Sequence, residues 1–180
     1  MTEREFEEVV TAHYSGLYWF ALSLTRQENE ARDLTQQTFY IWACKHAQVR
    51  EPAKLRSWLI TTLHREFLGR KRREARFPHF EVSAVEHELP AVTPEIVDRL
   101  DSKTVMDALL NVDELFRAPL MLFYFEGYSY KQIAEALNVP RGTVMSRLAR
   151  GKEILRCLLA DKALDPTSMF PPLGGETKHD

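Results

Sequence analysis

The sequence predicts an all-α protein of two small helical domains joined by a flexible linker. Three observations carry this. Apolar residues recur at helical spacing in almost every periodic stretch. One acidic segment punctuated by proline, residues 78–101, interrupts that periodicity. The stretch 129–150, SYKQIAEALNVPRGTVMSRLAR, reads as two short helices around a tight turn.

The first domain, residues 1–77, holds three helices in this reading. Thr2 and Glu5 form a capping box, with Phe6, Val9, Val10 and His13 on the inner side behind it. Leu17 to Leu24 continues as a strongly apolar helix, and Gln27 to Asn29 is a polar break. A second helix is expected over 28–47, with Ala31, Leu34, Thr38, Ile41 and Trp42 as its inner stripe. On its other side Asp33, Gln36, Gln37, Tyr40 and Cys44 align at i, i+3, i+4, i+7 and i+11. A solvated face is the simplest account of them. An outward Tyr flanked by Asp and Gln also suits a protein contact, because Tyr is enriched at interfaces.

Residues 46–54 read as a loop with Pro52 near its end, and a third helix starts around Ala53. Leu55, Trp58, Leu59 and Leu63 recur at i, i+3, i+4 and i+8 and close a small core. The helix then turns basic through Arg65, Arg70, Lys71, Arg72, Arg73 and Arg76, against Glu66 and Glu74. Such a run is usually a solvated helix end. Basic charge beside aromatic residues also suits single-stranded or melting DNA.

Residues 78–101 carry Pro78, Pro90 and Pro94 among Glu81, Glu86, Glu88, Glu95, Asp98 and Asp101. They are expected to form the linker, with a helical turn near 96–100. The second domain, 102–164, opens with a helix marked by Val105, Ala108, Leu109 and Val112. A second helix is expected over 115–124, with Pro119 in or near its first turn and Glu126-Gly127 at its end. Tyr128 leads into the helix-turn-helix. There Ser129 and Gln132 form a capping box, and Ile133, Ala134 and Leu137 share the inner face. Asn138 stands where a left-handed residue ends a helix, Val139 plugs the corner, and Pro140 begins the next helix. Val144, Leu148 and Leu155 then share the buried face, and that helix reaches about Ala160. Arg141, Gly142, Thr143, Ser146, Arg147 and Arg150 are left outward or close to a partner. Guanidinium and hydroxyl groups suit phosphates and base edges, and Gly142 permits close approach to a DNA backbone. An ordinary helical hairpin with a polar face is the plainer alternative; cap, corner residue, helix-starting Pro and outward Arg together favour DNA binding. Residues 165–180 hold three Pro and two Gly and read as a mobile tail, with Met169, Phe170 and Leu173 as its apolar residues.

The bulk numbers set limits. In 180 residues with 44% hydrophobic content there is room for one domain or two small ones. A net charge of −2 carries no information on nucleic acid, whereas the alternation of basic and acidic stretches does. The two cysteines, Cys44 and Cys157, are far apart, which argues against a disulfide scaffold or zinc site and fits a reducing cytoplasm. Cys44 and His46 alone do not make a metal site, and neither a metal nor a cofactor is expected. The charged N-terminus is unlike a signal peptide, and no apolar run approaches the ~20 residues that span a bilayer.

Taken together, these stretches resemble a bacterial sigma factor of the extracytoplasmic-function (group IV) type, over roughly residues 5–159. ARDLTQQTFYIWA resembles the polymerase-binding helix of sigma domain 2, which implies that Asp33, Gln36, Gln37 and Tyr40 meet core RNA polymerase. LRSWLITTLHREFLGRKRRE resembles the segment that engages the minus-10 promoter element, which implies roles for Trp58, Arg65, Arg70, Lys71, Arg72 and Arg73. YSYKQIAEALNVPRGTVMSRLARGKEIL resembles the minus-35-binding part of sigma domain 4, which implies that Arg141, Gly142, Thr143, Ser146, Arg147 and Arg150 face promoter DNA. Arg65 stands where many relatives carry Asn, and Met145 where Lys is frequent, which leaves both promoter preferences open. The resemblance implies a cytoplasmic, non-enzymatic initiation factor, with an anti-sigma protein as the usual partner in the family. A polymerase-independent dimeric regulator is the competing reading, but it needs neither the Asp33–Tyr40 stripe nor the basic run. An enzyme using His13 or His64 as acid or base would lack a nucleophile motif, an acidic cluster or a phosphate loop.

Overall fold

The computed structural model describes residues 2–49, 51–76 and 100–160. Most of the expected linker and all of the expected tail, 165–180, lie outside these residues. The described chain is helical and divides into two compact units, one ending at Met106 and the other starting at Asp107.

In the first unit, α1 spans Glu3–Thr25, α2 Glu28–Lys45 and α3 Leu55–Arg76, each packed on the other two. The expected capping box starts α1: the Glu5 amide donates to Thr2 Oγ1 at 3.2 Å, and the Thr2 amide donates to Glu5 Oε2 at 2.6 Å. At the other end Arg26 adopts φ 62° and donates its N–H to the Leu22 carbonyl at 2.9 Å, which stops the helix. The bend lets α2 return against α1. Leu17, Phe20, Ala21 and Leu24 of α1 meet a core completed by Leu34 of α2 and by Leu59, Ile60, Leu63 and Phe67 of α3, all buried. Each of the leucine, isoleucine and phenylalanine side chains contributes about 1.5–3 kcal/mol by leaving water.

The inner stripe of α2 is wider than its spacing suggests. Ala31, Leu34, Thr38 and Trp42 are buried as expected, but Thr35 and Phe39 join them, and Ile41 is only half-buried. A helix flanked on two sides by α1 and α3 buries a broader arc than one packed on a single neighbour. The two buried threonines satisfy their hydroxyls within the helix, Thr35 donating to the Ala31 carbonyl at 2.7 Å and Thr38 to the Leu34 carbonyl at 2.8 Å. Phe6 stacks on Trp42 with ring centroids 5.7 Å apart, tying the start of α1 to the end of α2. The stretch expected as a loop, 46–54, contains two 3-10 turns, His46–Gln48 and Pro52–Lys54, the second leading directly into α3.

α4, Leu100–Leu110, runs across the boundary into the second unit, which holds α5 Glu114–Leu120, α6 Tyr130–Leu137 and α7 Arg141–Ala160. Val105, Ala108, Leu109 and Val112 are all buried, as their spacing predicts. The expectation for Pro119 needs correction. Asp113 caps α5 through a 2.8 Å bond from the Leu115 amide, so the helix starts earlier and Pro119 lies buried in its interior. Proline has no N–H to give the ladder, and the α-helix gives way at Met121–Phe125 to a wider π-turn. Glu126 follows, and Gly127, at φ 68°, turns the chain as only glycine does without strain. Arg117 is buried, with Nη1 donating to the carbonyls of Leu110 at 2.9 Å and Val112 at 2.7 Å. It thereby satisfies the Leu110 carbonyl, which the end of α4 leaves open, and the Val112 carbonyl just beyond it.

Candidate functional site

The helix-turn-helix forms as its local chemistry dictates. The Ser129 amide donates to Gln132 Oε1 at 2.9 Å and the Gln132 amide to Ser129 Oγ at 3.3 Å, closing the capping box of α6. Asn138, at φ 53° and ψ 50°, ends that helix in the left-handed conformation. The Val139 amide then reaches back to the Ala134 carbonyl at 3.0 Å. Pro140 stands one position earlier than expected: it precedes α7, and its carbonyl accepts from Thr143 at 2.9 Å and Val144 at 3.2 Å. Ile133, Ala136 and Leu137 are the buried residues of α6. Ala136 thus takes the inner place expected for Ala134, which is half-buried.

Val144, Leu148 and Leu155 are buried on α7 as expected, joined by Gly151 and Leu159. A Cβ on Gly151 would lie 2.9 Å from Leu120 Cδ1 and 3.1 Å from Phe116 Cβ. This glycine therefore lets α7 lie close against α5, and the opposite face of α7 is left to solvent. Gly142, Ser146 and Arg150 are exposed along that face at i, i+4 and i+8. Thr143 and Arg147 flank them half-buried, and Arg141 is exposed at the first turn. The Ser146 hydroxyl donates to the Thr143 carbonyl at 3.0 Å, so its oxygen is left as an acceptor toward a ligand. Met145, 50% exposed, lies on the other flank; in the sequence it stands out only as a departure from the family pattern. An exposed thioether among donors is suited to the thymine methyl, the apolar feature of the major groove.

On α3 the basic run does not form one face. Trp58, Arg65, Arg72 and Arg76 recur at i, i+7, i+14 and i+18 and share one side; the three arginines are exposed and Trp58 is half-buried. Arg73 is exposed elsewhere on the helix, and Lys71 lies over the ring of buried Phe67, its Nζ 5.0 Å from the centroid. Arg70 follows Leu63 at i+7 and Phe67 at i+3, so it continues the core stripe beyond the point where the core ends. Half-buried there, it turns toward α2.

On α2, Asp33, Gln36 and Tyr40 are exposed, Tyr40 to 64%, and Gln37 is half-buried. Together with Arg70 they line an open groove of 380 Å³. The structure thus brings the four stripe residues together and adds a fifth, Arg70, which is expected from the sequence to face DNA. Cys44 is exposed, and His46 Nδ1 is 3.0 Å from the Ala43 carbonyl. Among the described residues no three His, Cys, Asp or Glu side chains gather as a metal ion requires. Nor is any described helix long and apolar enough to cross a membrane.

Two outward faces on a three-helix unit and a basic helix-turn-helix on a second define the class of protein. The sigma-70 region 2 family matches residues 9–77, and the sigma-70 region 4 family matches residues 102–155. SigL of Mycobacterium tuberculosis, an extracytoplasmic-function RNA polymerase sigma factor, is 34% identical over 155 residues, covering 83% of this chain and 85% of SigL. SigE of Mycolicibacterium smegmatis, of the same type, is 33% identical over 159 residues, which are 86% of this chain but 62% of SigE. The solved structure of the sigma factor RpoE, in complex with the anti-sigma factor NepR from Bartonella quintana, superposes with a TM-score of 0.69 at 26% identity, covering 87% of this chain and 98% of RpoE. The chain belongs to the extracytoplasmic-function RNA polymerase sigma factors.

Proposed function

We propose that this chain binds core RNA polymerase through the outer face of α2 and directs transcription initiation at specific promoters. In this assignment residues 1–77 form the polymerase-binding and minus-10-reading domain, and 102–164 the minus-35-reading domain. Residues 78–101 join them and 165–180 follow. Half-buried Trp58 and the exposed Arg65, Lys71, Arg72 and Arg73 of α3 approach the minus-10 element. Arg141, Gly142, Thr143, Ser146, Arg147 and Arg150 of α7 approach the minus-35 element. Polymerase supplies the catalysis and this chain the address, so its place is the cytoplasm, where polymerase and promoters are. Similarity to RpoE, which was solved with NepR bound, supports an anti-sigma protein as a further partner.

The observation that carries this reading is the α2 stripe. Its residues stand outside a helix whose inner face is fully used by the core, so packing does not account for a solvent-facing Tyr40 on one face with Asp33 and Gln36. Tethering two modest DNA-binding units to a large enzyme also makes their promoter contacts effectively intramolecular. The test is the combined variant Asp33→Ala, Gln37→Ala, Tyr40→Ala, measured twice. Thermal melting should move little, since surface changes usually shift stability by less than about 0.5 kcal/mol. Competition with wild type for core enzyme should show a loss of about 2 kcal/mol or more, the scale of an interface anchor. A variant that folds and competes normally removes this face from the mechanism. A wild-type chain with no affinity for core would leave a free-standing dimeric regulator as the reading.

A further inference from the structure

We propose that Arg70 belongs to the polymerase-binding surface and not to the DNA-facing run, and that Arg70 and Asp33 make the groove a receptor for paired opposite charges on one segment of the core enzyme. The inference rests on the α2 stripe being the polymerase contact and deepens that assignment.

Three features lead to it. The first is helical phase. Arg70 lies three residues after Phe67 and seven after Leu63, both buried, whereas Arg65, Arg72 and Arg76 are exposed on another side of α3. Arg70 and Arg72 are two residues apart and cannot serve one flat DNA surface equally, because positions i and i+2 of a helix point nearly opposite ways. The second is the groove itself. Asp33, Gln36, Gln37 and Tyr40 form it from α2, and Arg70 is the α3 residue lining it. The third is charge. The groove carries one carboxylate and one guanidinium, and among the described residues neither is in a salt bridge. Between them the two glutamine amides offer donors and acceptors, and Tyr40 offers an apolar ring with a polar tip.

This lining selects its occupant. At 380 Å³ the groove takes the ends of a few side chains but not a helix, whose diameter with side chains is about 10–12 Å. The partner segment therefore lies across it, on Tyr40, and inserts a carboxylate toward Arg70 and a cation toward Asp33. A guanidinium grips a carboxylate through two parallel N–H bonds, which fixes the inserted side chain in orientation as well as in place. Nucleic acid is disfavoured here because Asp33 would repel phosphate from the same groove.

The experiment compares Arg70→Gln, Arg70→Glu and Arg70→Lys with Arg72→Gln in the full chain, by two measurements. Affinity for core enzyme is measured without DNA, by competition with labelled wild type. Promoter affinity is measured on holoenzyme assembled at saturating core. Arg70→Gln should weaken core binding by roughly tenfold, Arg70→Glu by more, and Arg70→Lys should recover part of the loss. Once holoenzyme is saturated, the Arg70 variants should bind promoter DNA with the wild-type salt dependence. Arg72→Gln should give the opposite split, losing promoter affinity and salt slope more than core affinity. Circular dichroism melting identifies any variant that misfolds, and Arg70→Lys, which keeps charge and most of the volume, serves if Arg70→Glu does. The proposal is overturned if the Arg70 variants bind core like wild type, or if their defect appears in promoter binding with a flattened salt slope. Failure of the Asp33, Gln37, Tyr40 variant to lose core affinity would instead remove the whole α2 face. Loss there with wild-type behaviour at Arg70 would sink this inference alone.

Discussion

Single residues hold this molecule together by local chemistry that can be tested one side chain at a time. Glu5 accepts hydrogen bonds from the Thr2 backbone and hydroxyl, and these hold its carboxyl below the ordinary value of 4.5. A folded value lowered in this way makes the bond's contribution fully present above about pH 4.5. That contribution fades as pH falls through the lowered folded value. Protection of the Thr2 and Glu5 amides, taken relative to intrinsic exchange at each pH, should therefore fall on acidification before the rest of α1 responds; simultaneous loss of protection along α1 would contradict a local cap. Gly151 is the other telling residue. Gly151→Ala forces a methyl against Leu120 and Phe116 and should destabilise the second unit by about 1–3 kcal/mol, read from denaturant unfolding. An alanine that raised stability, as it does at an exposed helix position, would mean that α5 moves aside at little cost.

At the scale of the element, α7 and α3 each divide into a buried and an outward side, and the outward sides carry the proposed DNA contacts. On α7, Arg147→Ala should cost about 1–3 kcal/mol and relax preference at one minus-35 position. An equal loss for every minus-35 sequence would make Arg147 a phosphate contact. On α3, replacing Lys71, Arg72 and Arg73 with Gln should flatten the salt dependence of promoter binding, since fewer counterions are released. An unchanged slope would leave the run a solvated helix end. The turn of the helix-turn-helix is itself a local device. Asn138 tolerates φ 53° because its short polar side chain suits the left-handed region, so Asn138→Val should cost more than Asn138→Gly by about 1–2 kcal/mol in thermal unfolding.

At the scale of the whole molecule, two compact units act through one covalent chain. The advantage of that chain is effective concentration: once one unit is on the polymerase, the other searches a small volume. Residues 1–76 and 100–160 supplied as separate pieces should therefore support much less promoter-directed transcription than the intact chain. The loss should be roughly a hundredfold at equal concentration, and it should be partly recovered by raising the concentration of 100–160. Equal transcription from pieces and intact chain would show that tethering adds nothing.

The sequence alone determined what depends on near neighbours. Both capping boxes, the left-handed Asn138, the periodic faces of α1 and α7 and the outward stripe of α2 follow from residues within a turn or two of one another. On α3 Leu59 and Leu63 are buried as their spacing predicts, but Leu55 and Trp58 are only half-buried, and Ile60 and Phe67 complete the core instead. Tertiary structure decided what depends on packing between helices. Thr35 and Phe39 are buried because α2 has neighbours on two sides, which no periodicity along α2 alone reveals. Pro119 is interior because Asp113 captured the cap, and Gly151 matters because α5 comes within 2.9 Å of where its Cβ would be. Arg70 was inseparable from Lys71, Arg72 and Arg73 as a run of charge. Only the phase of a folded α3 against α2 placed it across from Asp33, because the direction of a side chain is set by the helix that carries it and its surroundings by the helix beside it.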